Sequence, residues 1–154
     1  MEKKAGDPLP FSFMRSLLAL LILVAAPAPA QPQQPVVQLN AGMHLVRAEV
    51  VSDYATRGQG LMHRKSLAQN AGMLFIFDEA SVHCMWMKNT LIPLSVAFID
   101  DRGAIVNIAD MEPHSETSHC AGQPVRYALE MNRGWFAARG IKPGSRLGGI
   151  PGIK

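Results

Sequence analysis

The sequence has few of the features that mark membrane-spanning or nucleic-acid-binding proteins. Its longest apolar run, Leu17 to Ala26 (LLALLILVAA), covers ten residues, whereas a membrane-spanning helix needs about 20. The 15 Lys and Arg residues are scattered along the chain, and a nucleic-acid-binding surface needs them clustered in a stripe. We therefore expect no nucleic-acid partner and no stable membrane anchor.

Common catalytic motifs are also missing. The chain has no G-x-S-x-G elbow, no glycine-rich phosphate loop and no H-E-x-x-H or C-x-x-C pair. A site could still be assembled from distant residues such as Asp100, Asp110, Glu112 and His114, but no pattern selects among them. The sequence thus favours a binding or accessory role over an enzyme and names no catalytic residue.

Residues 1–30 have the pattern of a cleavable secretory signal peptide. Arg15 precedes the apolar run, and Ala28-Pro29-Ala30 places small residues at the −3 and −1 positions, so we expect cleavage after Ala30. Met14 is a possible true start, because Met14-Arg15 and the apolar run already form a complete leader. This pattern predicts a periplasmic or secreted protein.

The rest of the chain is long enough for one domain, residues 36–154, which follows a polar, proline-rich spacer at 31–35. Period-two alternation or short apolar runs predict strands at His44–Val51, Met73–Phe77, His83–Lys88, Ser95–Asp100, Ala104–Ala109 and Val125–Met131. Short helices are expected after Ser52 or Asp53, and after Asn132 as far as Gly140. These elements predict a mainly β fold, a compact β-barrel or sandwich with two short helices.

Five ordered motifs resemble those of the DUF192 (UPF0127) family, at similar spacing: RGQGLMHR at 57–64, GMLFIF at 72–77, MWMKNTLIPL at 85–94, AFID at 97–100 and YALEMNRG at 127–134. The resemblance implies a compact β-rich domain, often exported, without an accepted enzyme activity. Two positions depart from the expected pattern. Ser95 stands where the family often has Asp, and Ser145 follows Gly144 where Asp is common.

Several polar residues lie within these otherwise apolar motifs. Apolar walls with a few converging polar groups describe a small-molecule pocket, and donors of these types suit a small polar, anionic or sugar-like ligand. The alternative is structural, with Lys88 paired to Glu130, the arginines bonded to loop carbonyls and Asn89 building a turn. The candidate ligand-binding residues are Arg57, Arg64, Lys88, Asn89, Thr90 and Glu130.

A second hypothesis assigns a metal and not an organic ligand. On a strand, His83, Met85 and Met87 would share one face, and imidazole with thioether groups suits Cu(I). Methionine is also an ordinary filler of hydrophobic cores, so the same pattern describes a buried strand face. The first hypothesis needs no cofactor, whereas the second predicts a periplasmic Cu(I)-binding protein.

The two cysteines, Cys84 and Cys120, are predicted to form a disulfide. Thiols of exported proteins meet an oxidising compartment, and a bridge is the commonest reason for an even cysteine count there. Cys84 falls on a predicted strand, and Cys120 lies in a long polar loop that a bridge would fix to the sheet. The alternative is a buried Cys84 and an exposed free thiol at Cys120.

Overall fold

The computed structural model describes residues 33–153. In this part of the chain no helix is long and apolar enough to cross a bilayer. The predicted signal peptide at 1–30 and the start of the spacer lie outside the described residues.

The elements in chain order are β1 (Val36–Ala41), β2 (His44–Val51), α1 (Tyr54–Gln59), β3 (Ala71–Ser81), β4 (Cys84–Met85), β5 (Leu94–Ile99), β6 (Ile105–Met111), β7 (His119–Cys120), β8 (Val125–Asn132), a 3-10 turn (Ala137–Arg139) and β9 (Leu147–Gly148).

Seven strands form one sheet in the order β6-β5-β8-β3-β2-β1-β9, and β4 pairs with β7 in a separate two-stranded ladder. All pairs are antiparallel except β2 with β3. The large sheet curls into a half-barrel, and its two edges meet at one end, where Leu147 N donates to Gly103 O and Ile105 N donates to Ser145 O. The prediction of a mainly β fold is confirmed.

The hairpin between β5 and β6 forms as the sequence predicts. The Asp100 carboxylate accepts hydrogen bonds from the backbone N–H groups of Arg102 and Ala104, and Gly103 adopts a positive φ of 81°. A Cβ at Gly103 would also lie 2.7 Å from Leu147 O. Glycine is therefore needed there both for the turn and for the contact between the two sheet edges.

Only one of the two expected helices forms as an α-helix. Asp53 caps α1 through a hydrogen bond from Thr56 N, as predicted. The segment after Asn132 differs, because β8 continues through Asn132 and Gly134 has a φ of 76°, which interrupts right-handed helix. A single 3-10 turn follows, and Gly140 ends it in the left-handed conformation.

The sheet buries apolar side chains on both faces. Leu129 of β8 points to one of these faces. It lies in the first core beside its cross-strand partners Leu74 and Ala97. The second core, on the opposite face, is built around Phe75, Val96 and Phe98 of the sheet and Leu61, Met87 and Ile92 of the covering segments. These covering segments are mostly irregular, and the cleft described below lies among them.

Candidate functional site

A cleft of about 460 Å³ opens on the second-core side of the sheet. One wall is the α1 segment, with Gly58 and Gly60, and the opposite wall is the segment from His83 to Trp86. Phe75 and Phe77 of β3 line it from the sheet, and Glu130 of β8 lies among them. We call this the Glu130 cleft.

Glu130 is a buried carboxyl in apolar surroundings. Only 4% of the residue is exposed, and its cross-strand partners are Met73 on β3 and Val96 on β5, both members of the second core. Within residues 33–153 no side chain forms a salt bridge or hydrogen bond with it. Burial raises the pKa of Glu130 from 4.5 to about 8, because desolvation disfavours the charged form. The group is therefore mostly protonated at neutral pH.

The α1 wall depends on a glycine at the end of the helix. Gly60 has a φ of 49°, and a Cβ there would lie 3.3 Å from the Phe75 ring. A larger residue would be strained by its backbone and would push against Phe75. Gly58 differs, since its φ is not positive and a Cβ there meets nothing within 4 Å. The wall can accept a side chain at Gly58.

The opposite wall contains a disulfide. Cys84 and Cys120 face each other in the β4–β7 ladder, and their Sγ atoms are bonded at 2.05 Å with the Cα atoms 3.9 Å apart. Cys84 lines the cleft. The Asn107 side chain supports the second cysteine by donating to Cys120 O and accepting from Gly122 N. The bridge thus ties the wall to the loop that precedes β8.

Two aromatic side chains at the cleft are exposed. Tyr54 is 89% exposed and Trp86 is 48% exposed, and both line the cleft. The Lys88 ammonium lies 5.3 Å from the centroid of the Trp86 ring, within the range of a cation–π contact. Large exposed aromatic side chains beside a cavity are typical of binding sites.

Comparison with known proteins identifies the family. The model of DUF192, described as "Uncharacterized ACR", matches residues 36–149. This chain belongs to the DUF192 family. None of the curated proteins matches it.

Two solved structures are similar to this DUF192 chain. One is a candidate transcription regulator from Sinorhizobium meliloti 1021, with 37% identity, a TM-score of 0.74, and coverage of 78% of this chain and 98% of the other. The second is a protein of unknown function from Novosphingobium aromaticivorans DSM 12444, with 34% identity, a TM-score of 0.71, and coverage of 80% and 93% respectively. Both likenesses extend over nearly the whole of the compared chain.

The two predicted arginines of the DUF192 domain have intramolecular partners. Arg57 lines the cleft, but its guanidinium donates to Ser52 O and Ile76 O and pairs with Asp78 at 3.0 Å. Arg64 does not line the cleft, and it forms a bidentate pair with Glu49 at 2.6 Å. Hydrogen bonding to Glu49 raises the pKa of Arg64.

The three neighbouring candidates, Lys88, Asn89 and Thr90, separate in the structure. Lys88 pairs with Glu116 at 3.7 Å and not with Glu130, so the structural pairing considered above is wrong. Asn89 has a φ of 54°, and its carbonyl accepts from His63 N, which makes it a turn residue. Thr90 is 5% exposed and lines the cleft. The cleft therefore brings Arg57, Thr90 and Glu130 together.

The residues of the copper hypothesis do not lie on one strand face. The predicted strand at His83–Lys88 is shorter, because β4 ends at Met85 and Met87 N donates to Ser115 O. His83 stacks on Phe77 at 3.7 Å, and Met87 is completely buried in the second core. Among the described residues no three His, Cys, Asp or Glu side chains are grouped as a metal site.

Ser95, the position where the family often has Asp, lies away from the Glu130 cleft. It is 1% exposed, and its hydroxyl donates to the Asp110 carboxylate and accepts from Gly134 N at 2.9 Å. A neighbouring strand thus supplies a carboxylate here.

The glycine wall and the aromatic lining of the cleft were not predicted from the sequence, although RGQG and the aromatic residues of GMLFIF were visible signals.

Proposed function

We propose that this DUF192 protein is an exported domain that binds a small molecule in the Glu130 cleft. The observation that carries the proposal is one buried carboxyl without a protein partner in a cleft that is mainly apolar. A concave site with apolar walls and few polar groups is the usual form of a small-molecule pocket. A strongly shifted pKa inside such a cavity is a further mark of a functional group.

Energetics supports this role for Glu130. Burying an ionisable group without a partner lowers the stability of the fold, and a methionine or leucine of similar volume would avoid the loss. Both neighbours of Glu130 across the sheet, Met73 and Val96, are apolar. A carboxyl at this position is therefore explained better by contact with a ligand than by contact with the protein.

Export is supported by the chain outside the cleft. The leader pattern at 1–30 predicts secretion, and a disulfide is stable in an oxidising compartment. We expect the exported protein to begin at Gln31. Intact mass of the protein recovered from the periplasm or medium tests this, and a retained leader would contradict it.

Regulation of transcription, which the description of the Sinorhizobium relative suggests, is not the function we propose. Three arginines of the described chain, Arg57, Arg64 and Arg133, are paired with carboxylates. They are therefore partly neutralised and poorly suited to phosphate contacts.

The direct test is a thermal-shift screen of the exported protein against metabolites and Cu(I). A ligand specific for the folded state adds about 2.7 kcal/mol to the free energy of unfolding at 100 times its dissociation constant. A cleft ligand should lose its effect in Gly58→Leu, which adds a side chain at the cleft wall, and keep it in the matched Gly58→Ala. Hits that are equally strong in both variants, or a screen without hits, would count against the proposal. Cu(I) binding lost in Met85→Leu would favour copper.

A further inference from the structure

The ionisable and polar side chains that line the Glu130 cleft determine which charge a ligand can carry there. Glu130 is the only carboxyl among the described residues that line it. The lining also includes aromatic rings, the sulfur atoms of Met62, Met85 and Cys84, and the uncharged polar side chains of Gln59 and Thr90. The strongest donor present, the Arg57 guanidinium, is bonded to Ser52 O, Ile76 O and the Asp78 carboxylate. The described lining thus offers one carboxyl, which a bound cation would stabilise in its ionised form, and no Lys or Arg side chain without a partner.

We propose that the cleft takes an organic ammonium ion, with the charged nitrogen against the Glu130 carboxylate and the apolar substituents against Trp86 and Tyr54. This inference rests on the proposed function and names the ligand class. A buried carboxyl without a partner attracts a cation strongly, because the protein around it is a poorer dielectric than water. Aromatic faces add attraction for ammonium groups, most of all when these carry alkyl substituents.

The structure already places an ammonium group over the ring of Trp86, a residue that lines the cleft. The Nζ atom of Lys88 lies 5.3 Å from the Trp86 centroid, although its salt bridge to Glu116 is long at 3.7 Å. The Trp86 face is thus accessible to a cation from the solvent side. An anion is disfavoured at the same place, since the described lining has no unpaired Lys or Arg side chain to compensate repulsion from the Glu130 carboxylate when this group is ionised.

Binding of a permanent cation should depend on pH through Glu130. The α1 segment contributes Tyr54 and Arg57 to the cleft, the segment after β3 contributes His83, and β3 itself contributes aromatic residues. A bound cation stabilises the ionised carboxylate, so the affinity should rise by about tenfold per pH unit below the pKa of Glu130 and level off above it.

The experiment uses the exported protein and three probes of similar shape. Choline carries a permanent positive charge, 3,3-dimethylbutan-1-ol is its neutral carbon isostere, and 3,3-dimethylbutanoate is an anion of similar size. Backbone amide chemical shifts measure binding at pH 8. We expect shifts at the cleft residues, with choline bound about tenfold more tightly than the alcohol and the anion bound most weakly.

Matched variants assign the preference to its cause. Glu130→Gln keeps the volume and should reduce the preference for choline to the share contributed by the aromatic rings and abolish its pH dependence, whereas Glu79→Gln, at an exposed carboxylate, should change neither. His83→Gln tests whether the imidazole contributes to the pH profile, and we expect the profile to persist. Lys88→Gln removes the competing ammonium from Trp86 and should tighten choline binding a few-fold.

The outcomes separate the two proposals. Equal binding of choline and the alcohol, or stronger binding of the anion, would overturn the ammonium assignment and leave a small-molecule cleft. Binding of choline that is unchanged in Glu130→Gln would also overturn it. If no probe shifts the cleft residues, the ammonium assignment fails, and the proposed function then depends on the broader screen with the Gly58 variants.

Discussion

The two faces of the sheet are built from the same strands, but the second-core face also buries a carboxyl. On the first-core face, Leu129 is completely buried among apolar side chains. One residue further along β8, Glu130 points a carboxyl into the second-core side, beneath one short helix, a disulfide and irregular segments. The difference indicates that one face stabilises the fold, whereas the other gives up stability to keep a polar group in a cleft.

The largest expected effect concerns the pH dependence of stability. The folded state binds the Glu130 proton more tightly than the unfolded state, with a pKa of about 8 against 4.5. Glu130 therefore favours the fold most below pH 4.5, and its contribution falls until about pH 8. One pKa unit corresponds to about 1.4 kcal/mol, so the loss is about 5 kcal/mol.

Urea unfolding of wild type and Glu130→Gln across this pH range measures the effect. The difference in free energy of unfolding between them should change steadily from pH 5 to pH 8, in favour of the variant at high pH. Glu79→Gln serves as the control at an exposed carboxylate. Parallel pH profiles for wild type and Glu130→Gln would mean that the two faces do not differ in this way.

The first-core face should respond to loss of volume. Leu129→Ala removes buried methyl groups at a site that is 0% exposed and should reduce the free energy of unfolding by about 2 to 5 kcal/mol. Leu91→Ala, at a side chain that is 40% exposed, should change it by less than about 1 kcal/mol. Equal losses at the two positions would contradict the assignment of Leu129 to a close-packed core.

The disulfide should matter chiefly on the cleft side. Removing the link between Cys84 and Cys120 should reduce the free energy of unfolding by about 2 to 4 kcal/mol, since the bridge restricts the unfolded chain. Hydrogen exchange should accelerate in β4 and β7 more than at Leu129. Thiol titration of the unfolded, unreduced protein is the control, and two reactive thiols per chain would show that no bridge forms.

The smallest effect is expected at the helical wall of the cleft. Gly58 lies in α1 with open space at its Cβ position, so Gly58→Ala should stabilise the protein by about 0.5 to 1 kcal/mol through helix propensity. Gly60→Ala should instead destabilise it, because of its positive φ and the Phe75 contact. Thermal melts compare the two, and a stabilised Gly60→Ala would refute this description of the wall.

Local signals in the sequence predicted most of the fold. The β5–β6 hairpin could be predicted from Asp100 and Gly103. The hydrogen bond to the Asp100 carboxylate and the positive φ of Gly103 that define the turn both lie between residues 100 and 104. The helix predicted after Asn132 failed because that side chain donates instead to Leu67 O and Ala68 O. Leu67 and Ala68, which accept these hydrogen bonds, are distant from Asn132 in sequence. They cannot be identified from the segment itself.

The site was harder to predict for a related reason. Alternation along β8 indicates which residues share a face, but it does not show that the face bearing Glu130 is also covered. Covering segments such as the one that buries Met87 carry no regular period. The prediction of Glu130 and Thr90 as ligand-binding residues came from polar positions inside the family motifs, and these positions do not reveal the cleft that brings the two residues together.

The most direct test of the burial of Glu130 is a titration of its side-chain carboxyl by carbon-13 NMR in the exported protein, with Glu130→Gln used for assignment. We predict a midpoint of about 8, because burial of the carboxyl disfavours its charged form. A midpoint near the ordinary value of 4.5 would show a solvated or paired carboxylate and would contradict the central claim.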